Sequence, residues 1–508
     1  MEIIQLLLDG FVVALQPMNL FLVIAGCAVG LFIGAMPGLG SVNGVAILLP
    51  VTFIVPPTSA IIFLAAIYYG AMYGGAISSI MLGIPGASTA VATTFDGRPL
   101  ALKGMADKAL VAAAVASFAG GTISVILFTA FAPPLAHVAL AFGSAEEFAL
   151  MMLAFGTFIG LGGDDIPKTL ISIFLGLVMS SVGLDILSGQ PRLIFGDIPG
   201  FFHGINFLVL AIGIYGIGEI LWTIESSRGE VSVAQAVVTV RRIFAALKEL
   251  LKSAKTIVMG SLLGYFVGLL PAAGATPGSI MAYGFAKTMS KDPDSYGKGN
   301  IDGVAAPESA NNAASTGSML PMLTLGIPGS PTTAILLGGM VIWGLEPGPR
   351  LFVDQTEFVW GLIASLYVAN FFSIVLNIAF IPIFIWVLKL SFTILAPIIF
   401  VLCVVGGYAP TQDMHDVWLM LLFGVVGYLM RKLDYPMAPM VLAIVLGPLA
   451  EASMRQALLQ SHGSILVFFE RPISGAIMGF ALLLFLLPVI RAGKKLFTRR
   501  RGADSVEK

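Results

Sequence analysis

Two short stretches of this sequence carry the residues best able to do chemistry. Leu82-Gly83-Ile84-Pro85-Gly86 runs on into Ala87, Ser88 and Thr89, and Leu325-Gly326-Ile327-Pro328-Gly329 runs on into Ser330, Pro331, Thr332 and Thr333. Proline removes a backbone donor and glycine accepts left-handed geometry, so Gly83, Pro85, Gly326 and Pro328 are expected to stop a helix twice. A half-helix restarting beyond such a stop exposes free N–H groups and a partial positive charge. Gly86, Ser88, Thr89, Gly329, Ser330, Thr332 and Thr333 would then offer donors to a carboxylate, and Pro331 suits a first helical turn. The plainer alternative makes both breaks packing kinks. It does not account for the hydroxyls that follow each of them.

A second polar island precedes the second break: PESANNAASTGS at 307–318. Its Glu308, Asn311 and Asn312 lie among apolar runs, where a carboxylate and two amides are costly unless paired or working. Amide and carbonyl oxygens are hard ligands, so Asn311 and Asn312 are candidates for Na⁺, helped by unwound carbonyls near Pro37 and Pro271. Glu308 could instead carry a proton. A solvated loop is the alternative reading of the island. Ser41 and Asn43 follow Pro37 and join the substrate-binding candidates. Arg98 and Lys103 could steer an anion or anchor a loop.

The elements positioning these residues must be membrane helices. Of 508 residues, 57% are hydrophobic and 11% charged, against about 25% charged in a soluble domain. The apolar runs are continuous and lack the alternation of a barrel strand. About 10–14 membrane segments are expected, half-helices included. Cys27 and Cys403 sit in apolar runs and show no disulfide or metal pattern. No P-loop, His-Glu-x-x-His or Gly-x-Ser-x-Gly occurs, so the chain reads as no enzyme and needs no cofactor beyond a coupling Na⁺ or H⁺. Basic clusters at 241–255, at Arg431 and Lys432, and in the tail 491–508 are topology signals and place these segments in the cytoplasm. Nucleic acid is not an expected partner; lipid is. Asp164, Asp165 and Asp185 read as interfacial.

The chain also repeats itself. Gly30, Phe32, Gly34, Pro37, Gly40 and Gly44 match Gly264, Phe266, Gly268, Pro271, Gly274 and Gly278 at a constant offset of 234. Gly74, the five residues 82–86 and Thr89 match Gly317, 325–329 and Thr332 at 243. The difference places a nine-residue insertion in the polar loop KDPDSYGKGN, 291–300. Two gapless blocks in one order indicate an internal duplication. The first block is entered from a weakly external N-terminus and the second from a cytoplasmic segment, so the repeats should be inverted. The expected fold is an all-α polytopic membrane protein: a first repeat over 1–225, a basic amphipathic linker helix over 226–255, a second repeat over 256–490 and a tail over 491–508. Broken helices and re-entrant hairpins form the site. A secondary transporter fits best, with an anion channel or a carboxylate exporter or exchanger as the alternative.

GLFIGAMPGLGSVNGVAILLPVTF, YGAMYGGAISSIMLGIPGASTAVATTFDGRPLALKG and APESANNAASTGSMLPMLTLGIPGSPTTAILLGG resemble the signatures of TctA, the large membrane subunit of bacterial tripartite tricarboxylate transporters. The resemblance spans nearly the whole chain, including GQPRLIFG at 189–196. It implies a multi-pass protein of the bacterial inner membrane with two partners. One is a small four-helix membrane subunit (TctB-like); the other is a periplasmic solute-binding protein (TctC-like). It implies cation-driven uptake of a di- or tricarboxylate such as citrate. A homodimer of the membrane complex is a further expectation. The sequence departs from the family's more apolar, Thr-bearing form at PGLGSVNG, which places a difference in substrate or ion preference at Ser41 and Asn43.

Overall fold

The computed structural model describes residues 2–36, 39–161, 165–185, 189–194, 199–226, 246–248, 250–271, 273–387, 392–408 and 411–486. Most of the linker helix expected at 226–255, the basic tail, Pro37 and Asp164 therefore lie outside the described residues.

Helices dominate. In chain order they are α1 (Glu2–Ala14), α2 (Pro17–Ala35), α3 (Gly40–Leu48), α4 (Pro57–Met81), α5 (Val91–Leu102), α6 (Ala106–Ala139), α7 (Ser144–Leu161) and α8 (Ile166–Ser180). There follow α9 (Phe207–Glu225), α10 (Ala254–Gly268), α11 (Ala275–Met289), α12 (Asp302–Leu325), α13 (Pro331–Ile342), α14 (Thr356–Ala379), α15 (Phe392–Tyr408), α16 (Met414–Lys432) and α17 (Met437–Gln460), then α18 (Pro472–Leu486). Among the described residues, 8 helices are long and apolar enough to cross a membrane. The long apolar run at 357–388 divides into α14 and a short helix, Ile381–Val387.

The chain forms two compact units. The larger comprises 1–140, 206–270 and 274–432. At its centre α4 is apolar on every side and buried on every side, as expected of a helix enclosed by other helices. The duplication reappears here as duplicated packing. A Cβ on Gly30 or Gly34 of α2 would strike the backbone of Ile67 or Ala71 in α4; Gly264 and Gly268 of α10 meet Ala310 and Ala314 of α12 in the same way. Those partners are again 243 residues apart. Small residues let helix backbones approach closely where lipid supplies no hydrophobic drive. The backbone breaks match too. Gly40 and Gly274 have φ of 61° and 68°, and Gly83 and Gly326 have 73° and 70°, all in the left-handed region.

The smaller unit comprises 141–205, 271–273 and 433–508. Gly176 of α8 rests on the Met440 backbone of α17. A short antiparallel pairing, Gly183–Leu184 with Pro191–Arg192, sets a charged cluster. Asp185 is buried there, 3.3 Å from Arg192 and 3.0 Å from Arg455, while Glu451 pairs with both arginines at 2.9 and 2.5 Å. A buried carboxylate held between two guanidinium groups satisfies the requirement that buried charges be paired.

Candidate functional site

Each LGIPG sequence does stop a helix. At the first break α4 ends at Met81, Gly83 turns left-handed, and a single 3₁₀ turn, Ser88–Ala90, leads into α5. Arg98 of α5 donates to the Met81 carbonyl, closing the α4 C-terminus. At the second break α12 ends at Leu325. The N–H groups of Gly326 and Ile327 return to the carbonyls of Met322 and Pro321, at 3.1 and 3.2 Å, the usual closure around a left-handed glycine. Ser330 then caps α13, with Pro331 in its first turn. The Ser330 hydroxyl accepts the Thr333 N–H at 3.2 Å, and the Thr333 hydroxyl accepts the Ser330 N–H at 2.8 Å. This is a complete capping box.

The two repeats meet through unlike breaks. The Ser41 hydroxyl, in the first turn of α3, lies 2.9 Å from that of Thr332 in α13. Reciprocally, the Ser88 hydroxyl lies 3.1 Å from that of Thr276 in α11. Each LGIPG restart thus touches the helix that restarts after the proline break of the other repeat. Within the second repeat, the Gly274 N–H donates to the Gly329 carbonyl at 2.9 Å. Asn43 is buried beside Ser41 in α3, and Pro271 lies in the turn after α10.

The polar island is no loop. It is the interior of α12, and every residue from 303 to 324 is buried. Glu308, 0% exposed, accepts from the hydroxyls of Thr93 in α5 at 2.5 Å and Ser117 in α6 at 3.1 Å. No lysine, arginine or histidine among the described residues pairs with it. The amide groups of Asn311 and Asn312 donate to the carbonyls of Met72 at 3.5 Å and Glu308 at 3.1 Å, while both side-chain oxygens are buried with no partner. Unpaired buried acceptors are uncommon in proteins and cost free energy.

Three phenols were not singled out from the sequence. Tyr68 of α4 reaches Ser318 and Ser330, each at 3.2 Å. Tyr69 meets the Thr316 hydroxyl, and Tyr73 donates to Asn370 of α14 at 2.6 Å. Their signal was three tyrosines in six residues of an otherwise apolar run, YYGAMY. Buried phenols normally find a hydrogen-bond partner. Thr93, Ser117 and Thr276 gave no signal, because lone hydroxyls in apolar helices usually bond their own backbone.

Anchoring accounts for the remaining candidates. Lys103 donates to the Lys298 carbonyl at 2.5 Å, and Arg98 closes α4 as described. The inserted loop docks on Asp96 of α5. That buried carboxylate accepts the N–H groups of Gly297 at 2.9 Å and of Gly299 and Asn300 at 2.7 Å, and the Tyr283 hydroxyl at 2.9 Å. Helix α5 therefore carries links to α4, α12 and the loop within two turns, which fixes the first break in place.

A family model described as "Tripartite tricarboxylate transporter TctA family" matches residues 20–442. A protein of Agrobacterium vitis, "Uncharacterized 52.8 kDa protein in TAR-I ttuC' 3'region", is 37% identical over 97% of this chain and 98% of its own length. A second from the same organism, "Uncharacterized protein in TAR-II ttuC' 3'region", is 37% identical over 45% of this chain and 96% of its own. No solved structure matches the chain.

Proposed function

The chain belongs to the tripartite tricarboxylate transporter TctA family, and from that premise we propose that it imports a di- or tricarboxylate anion by cation-coupled alternating access. It is a multi-pass helical protein of the bacterial inner membrane with a role in transport, and it is not an enzyme. The observation that carries the finer reading is the seam of hydroxyls and broken helix ends where the two repeats meet, buried at Ser41 and Thr332 and open at Ser88. Irregular backbone at membrane depth is tolerated where it lines a cavity or is buried in protein, and half-helix N-termini suit a carboxylate. On this reading Ser41, Asn43, Ser88, Thr89 and Thr332 surround the anion. A periplasmic binding protein delivers it, and a small four-helix membrane subunit completes the complex.

An anion entering a negative-inside cell moves against the potential, at about 2.3 kcal/mol per charge per 100 mV. Accompanying cations must offset that work. The unpartnered oxygens of Asn311 and Asn312 fit a hard cation, so Na⁺ is the favoured companion. The test is uptake of a labelled carboxylate panel in proteoliposomes holding all three components, under imposed gradients. At fixed pH, replacing Na⁺ by choline should reduce uptake to the background of empty vesicles. Undiminished uptake would remove Na⁺ from the mechanism.

Duplicated packing with opposite charge flanks supports inverted repeats containing re-entrant hairpins. Residues 241–255 and the C-terminal tail should then both be cytoplasmic. Cysteines introduced there should resist an impermeant maleimide on intact cells and react after permeabilisation. Cys27 and Cys403 are both buried, so the background is quiet. Labelling of both segments from outside would reverse the orientation.

A further inference from the structure

We infer that the two LGIPG breaks are not equivalent: the first receives the substrate's carboxylate, and the second is a closed structural joint. The inference rests on the transport reading above and narrows its site.

At the second break four hydroxyls close on one another. Tyr68 bonds Ser318 and Ser330, Ser318 lies 3.3 Å from Ser330, and Ser330 lies 3.1 Å from Thr333. The whole stretch from Gly326 to Ser330 is buried. The capping box already occupies the Ser330 and Thr333 N–H groups, and Pro331 between them has no N–H to offer.

The same positions at the first break, 243 residues earlier or later in the duplication, read differently. Ser318, Ser330 and Thr333 correspond to Gly75, Ala87 and Ala90, and Tyr68 corresponds to Asn311. No side chain caps the Ser88–Ala90 turn or α5. Ile84 and Ser88 are exposed. Asn311, too short to reach as a phenol does, keeps its side-chain oxygen buried and unpartnered. Its helix touches the Ser88–Ala90 turn. Its amide reaches the Met72 carbonyl, and the Met72 sulfur lies 4.0 Å from the Thr89 hydroxyl.

The Ala90 and Val91 N–H groups bond the carbonyls of Ala87 and Ser88, which leaves those of Ser88 and Thr89 at the helix start as donors for a carboxylate oxygen. An unpartnered amide oxygen on the neighbouring helix is an acceptor for a hard cation. The first break therefore holds the complementary parts for a carboxylate with its cation on the neighbouring helix, whereas the second is buried and its Ser330 and Thr333 donors are already bonded.

Ala87→Ser with Ala90→Thr writes the second break's capping box into the first. In uptake assays of the complete complex this double variant should raise the apparent KM for the carboxylate at least tenfold. Tyr68→Phe, which removes one hydroxyl from the closed joint, should leave KM within about twofold and lower the thermal unfolding midpoint. An unchanged KM in the double variant, or a tenfold rise with Tyr68→Phe, would overturn the inference. Should the double variant not assemble, Ser88→Cys at the exposed position decides. Substrate should slow its maleimide labelling severalfold, and labelling indifferent to saturating substrate would overturn the inference. An unaltered complex that takes up no carboxylate defeats the transport reading instead, and that control is read before any variant is compared.

Discussion

Replacing Gly268 by valine should leave no folded transporter. A Cβ at this position of α10 would overlap the Ala314 backbone of α12, and the Gly268 carbonyl is itself the atom facing the Cα of Gly329, where an added Cβ would come within 2.7 Å. Three backbones are stacked: α10, α12 and the second break. None of the three can retreat as a flexible side-chain tip can. Overpacking a tight interface costs roughly 1–3 kcal/mol when neighbours can shift. Here backbone must move on both sides, so the cost should exceed about 4 kcal/mol, a large share of a typical stability of about 5–15 kcal/mol. Gly34→Val should behave alike, because Gly34 meets Ala71 and faces Gly86 in the first repeat. Gly284→Ala in α11 is the control, since nothing lies within 4 Å of its Cβ position. Yield of monodisperse protein in detergent and its unfolding midpoint report the outcome. A Gly268→Val protein that purifies and melts like the control would show that the duplicated glycines are not close-packing residues.

Glu308→Gln should abolish concentrative uptake while sparing exchange. The side chain is fully enclosed, its two oxygens are held by hydroxyls from α5 and α6, and its backbone carbonyl receives Asn312. Glutamine has nearly the same shape and can still bond both hydroxyls, so the fold should survive. It cannot supply the negative charge. A buried carboxylate without a paired base is sustained by a proton or a cation, because an uncompensated charge in this environment is too costly. Losing one compensating positive charge per cycle forfeits about 2.3 kcal/mol per 100 mV, roughly a 50-fold fall in the accumulation ratio. Counterflow exchange moves no net charge and should continue within a fewfold of the unaltered rate. Accumulation by Glu308→Gln equal to that of the unaltered complex would remove this carboxylate from coupling. Thr93→Val, which removes one hydroxyl and keeps the charge, should have a smaller effect in the same assay.

The sequence by itself determined the features governed by local chemistry. Composition required a lipid solvent and continuous apolar runs required helices. The two Gly-x-Pro-Gly stops ended helices as read, because a missing donor and a left-handed glycine act wherever they stand. Pro331 opened α13 for the same kind of reason. The constant offsets matched Gly264 and Gly268 to Gly30 and Gly34, and both pairs do lie against a neighbouring helix backbone, since close backbone approach is recorded directly in the absence of a Cβ. The inserted loop stood where the change in offset placed it.

Tertiary structure alone decided which groups meet. Asn311, Asn312 and Glu308 could be read as a solvated loop or a working site, and only enclosure by α4, α5, α6 and α10 made their segment a buried helix interior. Tyr68 and Ser330 are 262 residues apart, and Thr93 and Glu308 are 215 apart. Nothing local to either partner names the other, because a hydroxyl in an apolar helix is equally compatible with bonding its own backbone. Asp96, unremarkable in sequence, became the anchor of the inserted loop through backbone N–H groups that carry no sequence signature. The distinction between an open first break and a closed second one was written in the chain as alanines against serine and threonine. It acquired meaning only when Tyr68 was seen to complete one set and Asn311 to leave the other unfilled.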